Sequence, residues 1–362
     1  MNGLNEVVLL MATMMDWLHL NGLFCIQFLQ NLFKDDAETM LFITKLGSPQ
    51  AAFLVYFPLS YILKPSVGIK VVWVGAVTEL LNTVFKWFLH GERPYWWIHE
   101  TSLLETPPDI TQFRLTCETG PGSPSGHCMV TAGVIYVMIS SLLTYKFGKS
   151  KHRSLVATFC WLLFIGYMSA VGISRCFIAA HFPHQVVAGT ITGAVIAAYL
   201  MTKLPSNLRL LHFVIGSVLV ILIGAGLYSV LDKFGIDPLW SVSLAQKYCL
   251  KKEWVHLDTT LFYALTKDSS ALLGLGLALY ANTNGHPDTV SMSAPVKVVS
   301  IGMALTLTQA SEYIHLPQSP EGVFYALGFV KNAFVVYGVV LIRSLMGHFL
   351  GKDLLKKRVK QS

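Results

Sequence analysis

The chain has 362 residues, of which 53% are hydrophobic and 13% are charged, and its formal net charge is +7. An average soluble domain carries roughly 25% charged residues, so this composition excludes an ordinary soluble protein and indicates a membrane protein. The basic residues fall mainly beside apolar segments and at the C-terminal tail, which favours membrane topology over nucleic-acid binding. We expect an all-α, polytopic helical bundle that forms one domain over residues 1–362.

Polar residues interrupt the first 34 positions, which therefore lack the pattern of a cleaved signal peptide and are interpreted as a mature amphipathic helix. Apolar segments long enough to cross a bilayer, or nearly so, follow along the rest of the chain. We predict about nine transmembrane helices. They lie around residues 41–63, 67–89, 128–147, 155–173, 185–202, 211–231, 260–281, 294–314 and 323–349.

Lysine and arginine residues cluster after the third and fifth predicted spans and in the tail, and the positive-inside rule places these segments in the cytosol. With an odd number of spans, the N-terminus lies on the opposite side, together with the loops at 90–127, 174–184 and 232–259. Those loops are the more acidic ones. The basic residues are Lys146, Lys149, Lys151, Arg153, Lys203, Arg209, Lys356, Lys357, Arg358 and Lys360.

The first pattern of functional interest ends the second predicted span. Lys86 and Arg93 are seven residues apart, so a continuing helix would place both cations on one face, and Pro94 then turns the chain into a loop. Glu79, seven residues before Lys86, lies on the same predicted face. The alternative is a basic pair that only anchors the helix end at the membrane interface.

The second pattern, PGSPSGH, directly precedes the third span. Ser125 can cap the helix, and the free N–H groups around Gly126 form an anion site at its N-terminus. His127 then stands in the first turn, within reach of a bound phosphate. An ordinary capped helix with an incidental histidine is the alternative.

The third pattern, SRCFIAAHFPHQ, leads into the fifth span. Arg175 and His181 are six residues apart and reach one ligand only if the helix breaks between them, which Pro183 and the short loop allow. A polar loop of this kind is otherwise structural. The six cysteines have no CxxC spacing and predict no metal site, although Cys117 and Cys249 lie in polar loops and could pair.

Together the patterns supply three cations, one helix N-terminus and two histidines on the same side of the membrane. Phosphoryl transfer needs charge neutralisation and positioning around an in-line displacement, and these groups provide both without a metal or cofactor.

The chain resembles the type 2 phosphatidic acid phosphatase (PAP2) and vanadium haloperoxidase superfamily in the patterns KWFLHGERP, PSGH and SRCFIAAH. Four longer stretches resemble the glucose-6-phosphatase catalytic subunits, and SGHCM and KDSSALLGLG resemble the ubiquitously expressed paralogue of that family. The four stretches are CETGPGSPSGH, FKWFLHGERPYWW, AAHFPHQVVAG and EWVHLDTT.

The resemblance implies that His181 is the nucleophile, that His127 is the general acid, and that Lys86, Arg93 and Arg175 hold the phosphate. It also implies nine helices, a catalytic core over about 67–202 and an active site in the lumen of the endoplasmic reticulum. Gln185 stands where the wider superfamily has an aspartate that orients the nucleophile. Either its carbonyl accepts the ring N–H of His181 or an acid elsewhere does so, and Glu79 is one candidate.

The resulting hypothesis is lumenal hydrolysis of a hexose phosphate, such as glucose 6-phosphate, through a phosphohistidine, in glucose metabolism and gluconeogenesis. A lipid phosphate phosphatase with the same histidines is the nearest alternative, and a non-enzymatic transporter is a more distant one. The expected partners are the sugar phosphate and the bilayer, with functional coupling to a glucose-6-phosphate transporter and no nucleic acid.

Overall fold

A computed structural model describes residues 2–205, 207–255, 259–282 and 292–359 of the chain. Within these ranges every regular element is helical, which confirms the all-α class. Residues 256–258 of EWVHLDTT and Lys360 of the basic tail lie outside the described residues. The helices are α1 (Asn2–Leu32), α2 (Ala37–Leu46), α3 (Pro49–Ala51), α4 (Phe57–Leu63), α5 (Pro65–Leu89), α6 (Pro94–Glu100), α7 (Gly126–Tyr145), α8 (Arg153–Phe177), α9 (Pro183–Lys203), α10 (Leu210–Lys233), α11 (Trp240–Tyr248), α12 (Leu261–Asn282), α13 (Ala294–Glu312) and α14 (Glu321–Val359).

Among the described residues, six helices are long and apolar enough to cross a bilayer, so the chain is a multi-pass membrane protein. A bent pair, in which α2 meets the helix Pro49–Leu63 at 52°, makes a seventh if it counts as one span. The less apolar α12 and α13 occupy the positions of two further predicted spans. The count of about nine stays a prediction. The six candidate spans are Pro65–Glu100, which contains both α5 and α6, Gly126–Tyr145, Arg153–Phe177, Pro183–Lys203, Leu210–Lys233, and Glu321–His348 within α14.

The packing of α7 against α9 places the candidate site, and glycine makes this close packing possible. A Cβ atom on Gly193 of α9 would overlap the carbonyl oxygen of Met129 in α7. A Cβ atom on Gly189, one turn earlier, would lie 2.5 Å from the carbonyl oxygen of Ser125. Because neither neighbour is a flexible side chain, only glycine allows the two backbones to approach this closely. The beginnings of α7 and α9 are thereby held side by side.

Hydrogen bonds then join the loops at this end of the bundle. The backbone N–H of Ser125 donates to the carbonyl of Gln185 (3.1 Å), and Asn82 of α5 donates to the carbonyl of Pro124 (3.0 Å). Gly122 N–H donates to the carbonyl of Gly91 (2.6 Å), just after α5. The end of α5 and the beginnings of α7 and α9 therefore form one hydrogen-bonded unit, although they are distant in sequence.

A disulfide between Cys117 and Cys249 ties the loop before α7 to the segment after α11, with 5.8 Å between the Cα atoms. The two cysteines are separated by 132 residues, and closing so long a loop stabilises a fold by about 5 kcal/mol in the chain-entropy model. The pairing that the sequence left open is present in the structure.

The α7–α9 contact gives a test of the fold. Gly193→Ala should lower the unfolding free energy by roughly 1–3 kcal/mol or more, because its new methyl group meets a backbone carbonyl that cannot move aside. Thermal unfolding of the purified protein in detergent measures this change. Gly166→Ala in α8 is the matched control, since its Cβ meets no described heavy atom within 4 Å outside its own helix. Equal melting temperatures for the two variants would contradict this account of the packing.

Candidate active site

Breaks in two helices bring the predicted cations to one place. The helix α5 ends at Leu89 and does not continue to Arg93, which instead has an extended backbone (φ −113°, ψ 147°) before Pro94 starts α6. The helix α8 ends at Phe177, and Ala179 adopts a left-handed conformation (φ 55°). Arg93 therefore reaches the site from a loop, and the second break turns His181 back towards Arg175, as the six-residue spacing requires.

The guanidinium of Arg93 is 0% exposed and is surrounded by backbone carbonyls. Its Nε donates to Gly120 (2.6 Å), and its two Nη atoms donate to Ala180 (2.9 Å) and Pro121 (3.2 Å). Nη1 also lies 3.3 Å from Nε2 of His181. These contacts fix the guanidinium beside the histidine, because a planar fork with several partners has little freedom to rotate.

His181 is fully buried, and its two ring nitrogens have different surroundings. Nδ1 lies 2.8 Å from the carbonyl oxygen of Gly122 and 3.3 Å from Oε1 of Gln185. Since a carbonyl can only accept, Nδ1 carries the proton and Nε2 keeps its lone pair. Burial, together with the charges of Arg93 and Arg175, lowers the pKa of His181 well below its usual range, so the ring is neutral.

Gln185 is itself held in place. Its Oε1 accepts from the backbone N–H of Phe182 (3.1 Å), and its Nε2 donates to the carbonyl of Glu92 (2.6 Å). Of the two alternatives that the sequence left open, this geometry fits the carbonyl of Gln185, assisted by Gly122. The described partners of His181 do not include Glu79.

His127 stands in the first turn of α7, and its side chain is 15% exposed. Its Nε2 lies 3.4 Å from Nη1 of Arg175. Ser125 occupies the N-cap position as predicted, but its side chain makes no capping hydrogen bond. The predicted anion site at this helix end would therefore consist of backbone N–H groups, beginning near Gly126. The buried amine of Lys86 lies near both Gly120 and Gly126.

Sequence reasoning missed Glu118, which it counted only among the acidic loop residues. The carboxylate lies 2.5 Å from Nη2 of Arg175 and 3.0 Å from Nη2 of Arg93. Its Oε1 lies 3.5 Å from Nδ1 of His127, and its Oε2 lies 3.8 Å from Nε2 of His181. The available signal was electrostatic, because several buried cations require a counter-charge and Glu118 is the acid nearest in sequence to the PGSPSGH pattern.

The charges around Glu118 decide its ionisation. Burial raises the pKa of its carboxyl group, but Arg175 and Arg93 lower it by more, so the pKa lies well below its usual range. Glu118 is therefore an anion that bridges the two arginines.

A cavity of about 540 Å³ opens beside this cluster. Its lining includes Lys86, Glu118, His127 and Arg175. The lining also includes Glu79, whose Oε2 is buried and has no hydrogen-bond partner among the described atoms. The volume is within the range of small-molecule sites, about 300–1,000 Å³. Further polar or aromatic side chains of the lining are Lys45, Gln50, Trp254, Lys267, Gln309 and Glu312.

The structure thus brings together eight of the nine predicted site residues, whereas Glu79 lines the same cavity but is not among the described partners of His181. Within the described residues, no group of three or more His, Cys, Asp and Glu side chains is arranged to hold a metal ion.

The arrangement is suited to chemistry on a phosphate. Two arginines and a lysine can neutralise three oxygen atoms, the N-terminus of α7 adds backbone donors, and two histidines face the same space. His181 offers the lone pair of Nε2, and His127 lines the cavity.

Comparison with known proteins agrees with this chemistry. Residues 67–209 match the model of the PAP2 superfamily. The chain is 37% identical to human glucose-6-phosphatase 2 over 95% of its own length and 99% of the relative. It is 39% identical to human glucose-6-phosphatase 3, covering 86% of this chain and 89% of the relative.

Rat glucose-6-phosphatase catalytic subunit 1 is also 37% identical, over 94% of this chain and 98% of the relative. No solved structure matches the chain. Because three paralogues are about equally similar, the resemblance to the ubiquitously expressed one stays a prediction.

Proposed function

The chain belongs to the glucose-6-phosphatase family of the PAP2 superfamily, and from this premise we propose that it hydrolyses a hexose phosphate such as glucose 6-phosphate. Its activity is that of a phosphoric monoester hydrolase. The observation that carries the proposal is the placement of Nε2 of His181 and Nδ1 of His127 on either side of one anion-binding position, which Arg93 and Arg175 define.

In the first step, Nε2 of His181 attacks phosphorus and forms a P–N bond while the bond from phosphorus to the sugar oxygen breaks. His127, in its protonated form, gives a proton to that oxygen, so the sugar leaves as a neutral alcohol. The carbonyls that hold the Nδ1 proton of His181 stabilise the positive charge that develops on the ring.

In the second step, His127 accepts a proton from water, and the oxygen of that water attacks phosphorus. The P–N bond breaks, inorganic phosphate forms, and His181 is restored. Throughout, Lys86, Arg93 and Arg175 hold the phosphoryl oxygens and neutralise their charge, together with backbone N–H groups near Ser125 and Gly126. Positioning and charge neutralisation of this kind account for most of the catalysis of phosphoryl transfer.

The cavity supports a sugar as the leaving group. With the phosphate bound by the arginines, the rest of the substrate extends past His127 into the cavity. Amide, ammonium and carboxylate groups line that space, and such groups form directional hydrogen bonds with hydroxyl groups. An acyl chain would contact the apolar part of the lining, such as Phe42, Leu54 and Leu261, but it would leave these polar groups without partners, at a cost in binding free energy.

The position of the disulfide supports a lumenal site in the endoplasmic reticulum. Disulfides persist in oxidising compartments, and Cys117 is adjacent to Glu118 of the cation cluster. The basic loops and tail are then cytosolic, and the N-terminus is lumenal. Functional coupling to a glucose-6-phosphate transporter stays a prediction from the family.

A substrate comparison tests the reaction. The purified protein should hydrolyse glucose 6-phosphate with a kcat/KM about 100-fold or more above that for a short-chain phosphatidic acid, because the amide, ammonium and carboxylate groups of the cavity hydrogen-bond to hydroxyl groups. The rate of phosphate release from each substrate is measured on one preparation, and the rate of the His181→Ala variant is subtracted, which gives both kcat/KM values. A preference for phosphatidic acid would favour the hypothesis of a lipid phosphate phosphatase. If neither substrate released phosphate, the non-enzymatic transporter would be the remaining hypothesis.

Labelling with ³²P-substrate tests the separate roles of the two histidines. His181→Ala should form no labelled protein, because the attacking nitrogen is absent. His127→Ala should lose roughly 10²-fold to 10⁴-fold in turnover, since it lacks proton donation and water activation. An activated aryl phosphate needs no proton on its leaving group, so acid-labile, base-stable label should accumulate on His127→Ala. Label on His181→Ala protein would show that the assigned roles are wrong.

Glycosylation tests the orientation. An Asn-x-Thr acceptor inserted near Asp109 should be glycosylated in cells, because that loop is lumenal in the proposed topology, whereas an acceptor near Lys149 should not. The gel mobility shift before and after glycosidase treatment gives the result. The reverse pattern would contradict a lumenal active site.

A further inference from the structure

Glu118 occupies the position that the proposed mechanism assigns to the phosphate. Its carboxylate accepts from Nη2 of Arg175 (2.5 Å) and pairs with Nη2 of Arg93 (3.0 Å), and these are the donors that would hold phosphoryl oxygens. One carboxylate oxygen faces His127 and the other faces His181. The carboxylate of Glu118 therefore lies between His127 and His181, which is where the phosphoryl group must lie during the proposed reaction.

Glu118 also separates the nucleophile from the cavity. Glu118, His127 and Arg175 line the cavity, whereas the described lining does not include Arg93 or His181. The Glu118 side chain is 18% exposed, and it lies on the cavity side of Nε2 of His181, 3.8 Å away. A substrate in the cavity reaches Nε2 only if this carboxylate moves.

We propose that Glu118 is an internal anion that a phosphate group displaces. In the free protein its carboxylate holds the phosphate-binding side chains in position. It moves away when a phosphate group binds, and it returns when inorganic phosphate is released. The proposal rests on the proposed phosphatase function and adds a residue to it. Glu118 is a positioning residue in this scheme, since it acts through the arginines and forms no bond with the substrate.

Electrostatics requires the exchange. A phosphate dianion and an ionised carboxylate that share the same guanidinium groups would repel each other strongly, because the site is buried and poorly screened. Without either anion, the buried cations would repel one another at a similar cost. One anion is therefore bound at a time, and each replaces the other.

The backbone around Glu118 limits the motion to its side chain. The residue's N–H donates to the carbonyl of Thr116 (2.9 Å), and its carbonyl accepts from the hydroxyl of Tyr95 (3.0 Å). Cys117, the preceding residue, is fixed by the disulfide to Cys249. Rotation of the side chain into the cavity leaves these contacts intact and keeps the carboxylate close to the cations. An anion tethered in this way competes at a high effective concentration, which favours release of phosphate.

The competition predicts that wild-type protein binds phosphate more weakly than its donors alone would allow. If the arginines are free of Glu118 in only about a tenth of the molecules, the apparent Kd is raised about tenfold. Removal of the carboxylate charge should reverse this effect, whereas loss of a purely structural residue should weaken binding.

Inorganic phosphate and vanadate are the probes for this experiment. Their Kd is measured by calorimetry on the full-length protein in detergent, for wild type, Glu118→Gln and Glu105→Gln. Glu118→Gln keeps the shape without the charge, and its Kd should fall about tenfold or more. Glu105, exposed in the same loop, is the control and should leave the Kd unchanged. An unchanged or higher Kd for Glu118→Gln would overturn the proposal.

Kinetics gives an independent measurement. With glucose 6-phosphate, the KM of Glu118→Gln and the inhibition constant for phosphate should fall together, and kcat should not rise, because product release becomes slower. A higher inhibition constant would mean that Glu118 only supports the fold.

Glu118→Asp keeps the test decisive if Glu118→Gln does not fold. On the fixed backbone the shorter side chain cannot reach both arginines, so the Kd for phosphate should still fall below the wild-type value, and an equal or higher Kd overturns the proposal. Both binding measurements are independent of turnover. Wild-type protein that binds phosphate but hydrolyses no hexose phosphate would disprove the proposed function alone.

Discussion

The repulsion between buried cations is the constraint on which the rest of the site depends. Arg93 and Arg175 have no exposed surface, and Lys86 is also buried nearby. Such charges are tolerated in a protein interior only when anions or oriented carbonyls compensate them. Three carbonyls surround Arg93, and the carboxylate of Glu118 bridges the two arginines. The positive charge suits the site to a phosphate, and the same charge requires an internal anion.

The fold provides this arrangement through close backbone packing at one end of the bundle. Gly189 and Gly193 let α9 approach α7, so the N-terminus of α7 and the segment containing His181 meet side by side. The disulfide at Cys117 holds the loop that carries Glu118 against them. The helix ends are thus rigid, and in the proposed exchange only the side chain of Glu118 moves. A preorganised site can in this way still exchange the carboxylate for a phosphate.

The two histidines differ because their surroundings differ. His181 is enclosed, and two carbonyl oxygens fix its Nδ1 proton, so Nε2 has one direction in which to react. His127 stands at the start of a helix and faces the cavity, where a leaving group and then water can reach it. In the proposed reaction, polar side chains of the cavity lining such as Glu79 and Lys267 would select the sugar.

The sequence determined the features that depend on local spacing. Apolar segments predicted the long helices, Pro94 and Pro183 marked the chain reversals after Arg93 and His181, and the three short patterns contain both histidines and all three cations of the candidate site. Tertiary structure alone decided the position of Glu118, which contacts Arg175 across 57 residues, and the disulfide, which spans 132. It also decided that Gln185, and not Glu79, lies beside Nδ1 of His181. Contacts between distant residues depend on how helices pack, and no local pattern in a single sequence records that packing.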